Sequence, residues 1–273
     1  MTNFMKVFPA LALALLATSA SADPATSVVG SSHDLSAGGK DVQGAAGQAQ
    51  NQVCVYCHMP HNAVNIGAPL WNRTNSTTAF TMYSAANSAT FQLNAADTNT
   101  AARPVGPVSL ACLSCHDGVT AFNSLNQTPM IDADNAKPAS GYTFSAANMT
   151  IASAPGAGSA TIGTDLTNDH PVSFTYDAAL ATLKGTTLND PTVAVTNAGT
   201  TGALVILRAG TVASNTIATQ MLFNKPGTTV QNQLECASCH EPHMQGDLTL
   251  ASNYPFLIKS NQNSNLCLTC HNK

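Results

Sequence analysis

The chain has 273 residues, 10 Lys and Arg against 14 Asp and Glu, and a formal charge of −4 at pH 7. A mildly acidic chain with no basic run is not built to bind nucleic acid. Aromatic residues make up 5% and charged residues 9%, so few large side chains can fill a core. The net charge is also too low for a typical disordered chain, and something besides side chains is expected to fill the interior.

Residues 1–22 read as an export signal. Lys6 precedes a short apolar run, residues 7–17, and Ala20-Ser21-Ala22 is a small-residue cleavage site. The remainder, 23–273, is expected to be a single domain. No other apolar run approaches the ~20 residues needed to span a bilayer, so no membrane span is expected. Asp23, not a cysteine, directly follows the cleavage site, so no lipid anchor is expected either.

A Gly/Ala/Gln-rich lead over 23–52 holds one histidine, His33, in "SSHDLS". "VCVYCHMPH" follows at 53–61 and introduces a pattern that recurs. The eight cysteines form four pentads: Cys54, Cys57 and His58; Cys112, Cys115 and His116; Cys236, Cys239 and His240; Cys267, Cys270 and His271. C-x-x-C-H is the attachment motif of c-type haem. On a helical turn, residues i, i+3 and i+4 share one face. Two thiols there can form thioethers to the haem vinyl groups while the histidine reaches the iron. Paired C-x-x-C units can hold structural zinc, and one can be a redox dithiol. Neither use calls for a histidine directly after every pair. Four covalent haem c groups are therefore expected, with His58, His116, His240 and His271 as proximal ligands.

Four histidines remain: His33, His61, His170 and His243. The count matches one distal ligand per iron, which is bis-histidine ligation throughout. Met59, Met82, Met221 and Met244 are the rival distal ligands and are expected to pack instead. His61 and His243 lie in the repeated contexts "CHMPH" and "CHEPH". A histidine three residues beyond the proximal one cannot pass round the haem to its opposite face. Pro60 and Pro242 also break the helical turn. His61 and His243 are thus expected to serve a different haem from their own motif's, and His243 is expected to serve the haem of Cys267 and Cys270.

Trp71, in "PLWNR", is expected to pack on haem or core. For Arg73 two readings stand: a partner for a haem propionate, or a solvated side chain. Residues 74–103 lack periodicity and read as loop. About 124–233 reads as a polar, partly β insertion. Within it, 191–210 has two β-branched runs around Asn and Gly, a hairpin pattern, and 211–223 reads as a further strand. The expected fold class is a multihaem c-type cytochrome: mostly irregular backbone, short helices at the haem sites, a small β element and a haem-filled core.

In order along the chain, "SSHDLS", "CVYCHMPHNA", "PLWNR", "CLSCHDG", "GTDLTNDHPVSF", "CASCHEPH" and "LCLTCH" resemble exported multihaem cytochromes with doubled CXXCH motifs. They resemble in particular the tetrahaem family of the outer-surface cytochrome OmcE, whose members polymerise into extracellular nanowires. The resemblance runs from about Ser31 to His271. It implies a continuous stack of bis-histidine haems, with His33, His61, His170 and His243 as distal ligands. It also implies that one distal ligand comes from a neighbouring subunit and that the polar middle coats the filament.

Three functions follow as alternatives. The first is an extracellular or cell-surface electron conduit, a homopolymer that passes electrons to redox partner proteins or extracellular acceptors, with His33 or His61 donated between subunits. The second is a soluble periplasmic tetrahaem shuttle. The third is a multihaem reductase, disfavoured because eight histidines for four irons leave no open axial position. The expectation is a protein that is not an enzyme. Low charge favours assembly over electrostatic steering to partners.

Overall fold

The computed structural model describes residues 28–35, 53–66, 68–95, 97–121, 124–126, 160–195, 216–225, 228–244, 256–259 and 261–272. The export signal and the expected hairpin turn lie outside the described residues. Described regular structure is sparse, and its helices are short, as expected for a chain with irregular backbone. Residues 74–103 carry no helix or strand where they are described. Among the described residues no helix is long and apolar enough to cross a membrane.

The first pentad begins on a 3-10 turn, Val53–Tyr56. The second ends the longest described helix, α1, Pro107–His116. Pro107 suits the first turn of α1, where its missing N–H would have no partner. β1 (Phe174–Thr175) precedes α2 (Ala178–Leu183) and a 3-10 turn, Gly185–Thr187. Asp177 caps α2 by accepting from Leu180 N at 2.9 Å, a bond whose loss costs about 1 kcal/mol. α3 (Ile217–Met221) follows, then β2 (Gln233–Leu234), a 3-10 turn at Cys236–Ser238, another at Gln262–Ser264, and α4 (Cys267–Cys270). All four pentads therefore start or end on a helical turn.

α3 corrects the strand expected over 211–223. Its β-branched residues suit a strand, but Thr216 and Thr219 close a reciprocal cap: Thr216 N donates to Thr219 Oγ1 at 3.0 Å, and Thr219 N donates to Thr216 Oγ1 at 3.3 Å. Ile217 and Met221, one turn apart, are then buried together. The expected hairpin runs into residues outside the described ones, and the described β pairing joins the stretch 124–233 to the residues before the third pentad. β1 and β2 pair antiparallel with Phe174 opposite Leu234 and Thr175 opposite Gln233. This pairing brings the residues after His170 against those leading into the third pentad.

Two apolar clusters flank the pentads. The larger gathers Phe174, Tyr176, Leu180, Ile217, Met221 and Leu266, with Cys239 and Cys270 packed against it. Burying a leucine such as Leu180 contributes about 1.5–3 kcal/mol. The smaller holds Met82, Leu113 and Leu166 beneath α1. Met82 and Met221, two of the rival distal ligands, pack in these clusters. Much of the larger cluster comes from 174–222, so the stretch expected as an insertion supplies core.

Candidate metal centres

Each pentad is wound as its chemistry requires. His58 N, His240 N and His271 N donate to the carbonyls of Cys54, Cys236 and Cys267 at 2.8, 3.1 and 2.9 Å, and Cys112 and His116 share α1. Each histidine thus rides one turn above the first cysteine of its motif. All eight thiols are unpaired, so none is committed to a disulfide. Among the described residues, no three His, Cys, Asp or Glu side chains converge as a zinc site needs.

The histidine rings give the clearest pattern. His33 faces His116 with ring centroids 6.1 Å apart, His58 faces His243 at 6.0 Å, and His170 faces His271 at 6.2 Å. A metal–imidazole bond of about 2.0 Å, plus roughly 1.1 Å from nitrogen to ring centroid, places two axial rings about 6.2 Å apart across one metal. The separations therefore fit a metal between the rings of each pair. The interplanar angles are 69°, 22° and 75°.

The hydrogen bonds behind the imidazoles agree with this reading. Nδ1 of His33 bonds Pro242 O at 2.9 Å, that of His58 bonds Pro69 O at 2.7 Å, and that of His116 bonds Ala160 O at 2.7 Å. Nδ1 of His170 bonds Pro171 O at 3.0 Å, and that of His243 bonds the Glu241 carboxylate at 2.7 Å. A carbonyl or carboxylate on Nδ1 fixes the tautomer and leaves the Nε2 lone pair for a metal. Five histidines are anchored in this way.

The pairing corrects one expectation and sharpens another. His243 faces His58 of the first pentad, whereas His271 of the fourth faces His170. Pro242 does carry His243 away from its own motif, and the fold delivers it to the first site, while His33 bonds Pro242 O and stacks on Phe256 at 4.1 Å. His33, expected as a flexible arm, is bound within its own chain. His61 and His240 remain. Both are exposed, and among the described residues neither has a ring facing it or a hydrogen bond on its imidazole.

The attachment thiols place the sites in sequence order. Burial, and then the neighbouring Cys115, pushes the Cys57 thiol up to about 12, so the first and second sites adjoin. The Cys112 and Cys236 thiols are hydrogen-bonded to each other, which raises Cys112 and lowers Cys236; the second and third sites adjoin there. Burial, then Cys236 and Cys267, pushes Cys239 up to about 11, and Cys239 in turn acts on Cys270. The third and fourth sites are therefore neighbours.

The buried polar groups between these sites carry no motif of their own. Arg73 is 0% exposed, which corrects the solvated reading. Its Nε donates to Ser114 O and Oγ at 3.2 and 3.1 Å, and its Nη2 donates to Ser114 O and Ala121 O at 2.8 and 2.9 Å. It thereby ties the first site's loop to the second pentad. Trp71 sets its edge on His58 at 5.9 Å, and its buried Nε1 has no acceptor among the described residues, leaving a donor for a bound group. Lys259 is 4% exposed and its Nζ donates to Thr269 Oγ1 at 2.8 Å within the fourth pentad. Burial lowers its pKa, opposed by Cys270. Glu235, directly before Cys236, is 2% exposed. Sequence reasoning missed Lys259 and Glu235, and no spacing or composition signal marks either.

Free thiols, metal-spaced imidazole pairs and an orphaned donor beside His58 all fit haem c. Residues 228–273 match the family described as the doubled CXXCH motif, which takes in the third and fourth pentads and covers 46 of the 273 residues. No curated protein matches the chain. The match supports a multihaem c-type cytochrome that binds haem c covalently and takes part in electron transfer.

Proposed function

We propose that the chain is an exported tetrahaem electron conduit that assembles into an extracellular homopolymer, with His61 of one subunit completing the site of His240 in the next. The observation that carries this reading is the remainder: three histidine pairs stand at metal-spanning distance within the chain, and two exposed histidines, one distal and one proximal, are left over. Haem c, when bound, supplies an iron that accepts and gives up one electron at a time.

The protein's part is placement. The eight cysteines Cys54, Cys57, Cys112, Cys115, Cys236, Cys239, Cys267 and Cys270 fix each group at two points. His58, His116, His240 and His271 would hold the iron within each motif, and His243, His33, His61 and His170 would be their partners in that order. Nδ1 bonds hold five of these rings in place, and Arg73 locks the first site to the second. Two histidines on every iron leave no position for a substrate, so the protein conducts and does not catalyse. A ligand donated across the junction keeps the third site of one subunit beside the first site of its neighbour, because His61 lies three residues from His58. The haems then fill the space that the two small apolar clusters leave.

The test combines electron microscopy of the secreted protein with electron paramagnetic resonance of His61→Ala. Filaments of wild type, and folded His61→Ala monomers with a single high-spin iron, are the expected results. A monodisperse wild-type monomer with four low-spin irons at high concentration would overturn the assembly and favour the soluble periplasmic shuttle.

A further inference from the structure

We propose that Glu235 is a redox-linked proton site at the junction of the second and third haems, taking up a proton when an electron arrives there and releasing it on reoxidation. The inference rests on the reading that Cys112/Cys115 and Cys236/Cys239 hold haem.

Glu235 lies at the contact between these two motifs. β2 ends at Leu234, so the sheet delivers Glu235 into the interior directly before Cys236. Its Oε2 accepts from Ser109 Oγ, from Ser109 N at 3.3 Å and from Ser173 Oγ at 3.1 Å. Ser109 lies in the first turn of α1, whose N-cap, Gly106, offers no side chain. Glu235 therefore does the work of a helix cap for the second pentad. Ser109 Oγ also accepts from Cys236 N at 3.0 Å, so one serine binds the carboxyl to both haem motifs. Gly106 makes room for it: a Cβ there would lie 2.6 Å from Glu235 Cδ.

Two features distinguish this carboxyl from a structural cap. Its Oε1 is buried and has no hydrogen-bond partner among the described residues. Among the described residues no cationic side chain is ion-paired with it. The facing charged groups are few. Lys225 is exposed and acts only from a distance. Arg103, bonded to Ser173 O at 3.1 Å, is offset in charge by Asp97. Cys112 and Cys236 become uncharged thioethers once haem is attached. The nearest iron ligand in sequence, His240, is separated from Glu235 by the whole Cys236–Cys239 loop.

A buried carboxylate without a cation is held by helix dipole and hydroxyls against a desolvation cost of several kcal/mol. Burial is the dominant influence and raises its pKa; the bonds from Ser109 and Ser173 and the charge of Lys225 oppose it. With haem bound, the ferric state of the adjacent sites would add positive charge beside it. Adding one electron removes one unit of that charge, so the carboxylate becomes harder to sustain and Glu235 binds H⁺ from solvent. The balance is one electron from the donor and one proton from water taken up together, with both released on oxidation. The neutral acid then has an O–H to donate, and Oε1 no longer carries uncompensated charge.

The sign follows from linkage. Glu235 holds its proton more tightly in the reduced protein, so the potentials of the second and third haems fall as pH rises between the oxidised-state and reduced-state pKa values. The limit is one proton per electron, a tenfold change in the redox equilibrium per pH unit. The experiment is spectroelectrochemical titration of the haem-loaded protein over a pH series, wild type against Glu235→Gln, with redox-difference infrared spectra of both. Wild type is expected to show pH-dependent potentials for one haem pair and a protonated-carboxyl band that grows on reduction. Glu235→Gln is expected to lose both and to keep the low-pH potentials throughout. Equal pH dependence in the two proteins overturns the proposal while leaving the conduit reading intact. So does the absence from wild type of any protonated-carboxyl band that grows on reduction, an observation that does not depend on the variant folding. Absence of haem on Cys112, Cys115, Cys236 and Cys239 overturns both.

Discussion

Replacing Gly106 by Ala should destabilise the protein through one contact, and the structure identifies it. Gly106 has φ −68° and ψ 155°, an extended conformation open to any residue, so the backbone adds no penalty. The new Cβ would stand 2.6 Å from Cδ and 2.8 Å from Oε2 of Glu235, closer still to Oε1, where carbon contacts normally begin at about 3.5 Å. Overlap of this size in a packed interior costs about 1–3 kcal/mol. Without the overlap, Gly→Ala at a compatible position shifts stability by about 0.4–1 kcal/mol in the stabilising direction, less a few tenths for the weaker cap. The assay is a double-mutant cycle by guanidinium unfolding of haem-loaded protein, followed by far-ultraviolet and Soret dichroism so that coincident transitions establish two-state behaviour. Gly106→Ala should cost about 1–3 kcal/mol in wild type and leave Glu235→Ala unchanged or slightly more stable, a coupling well above the ~0.5 kcal/mol expected of independent sites. An equal cost in both backgrounds would refute the close approach of Gly106 and Glu235, and with it the placement of the carboxyl against α1.

Three further outcomes are open to measurement. His243→Ala should make the iron held by His58 high-spin and leave that of His271 unchanged; magnetic resonance with the reverse result would break the observed pairing. Arg73→Met should cost about 1–3 kcal/mol for each of the Ser114 and Ala121 carbonyls left without a donor. Arg73→Lys should not restore that loss, because an ammonium cannot reproduce the planar fork; denaturant midpoints decide it. The Glu235 carboxyl, raised in the fold, favours the folded state most below the unfolded carboxylate value of about 4.3, and this contribution is lost as pH rises through the folded value. The stability of Glu235→Gln relative to wild type should therefore grow with pH, and a difference that shrinks instead would contradict the raised value.

The attachment motifs were legible because their chemistry is local: three atoms on one turn fix a spacing that sequence displays directly. The candidate distal histidines were legible by counting. Their pairing was not, because it depends on where β1 and β2 bring chain segments that are far apart. Pro60 and Pro242 showed that His61 and His243 leave their own motifs, and only the fold shows that His243 arrives opposite His58. Ile217–Met221 was misread because β-branched composition outweighed the cap, which uses Thr219 where Glu or Gln is the familiar sign. Glu235 was invisible because it is one carboxylate among many until β2 buries it.

The histidine pairs also have a topological meaning. With metal bound, His58–His243 closes a loop over most of the chain, and His33–His116 and His170–His271 close two more. Each is a coordinate cross-link whose benefit, like that of a disulfide, grows with the length of chain it restrains. Two of them interlock, since the segment bearing His243 also supplies the carbonyl that holds His33. The first site would stay without its second histidine until the third pentad has been made and wound. Loading of the metal groups and acquisition of shape would then be one event, and a chain truncated before His243 would carry its first haem with one axial side exposed.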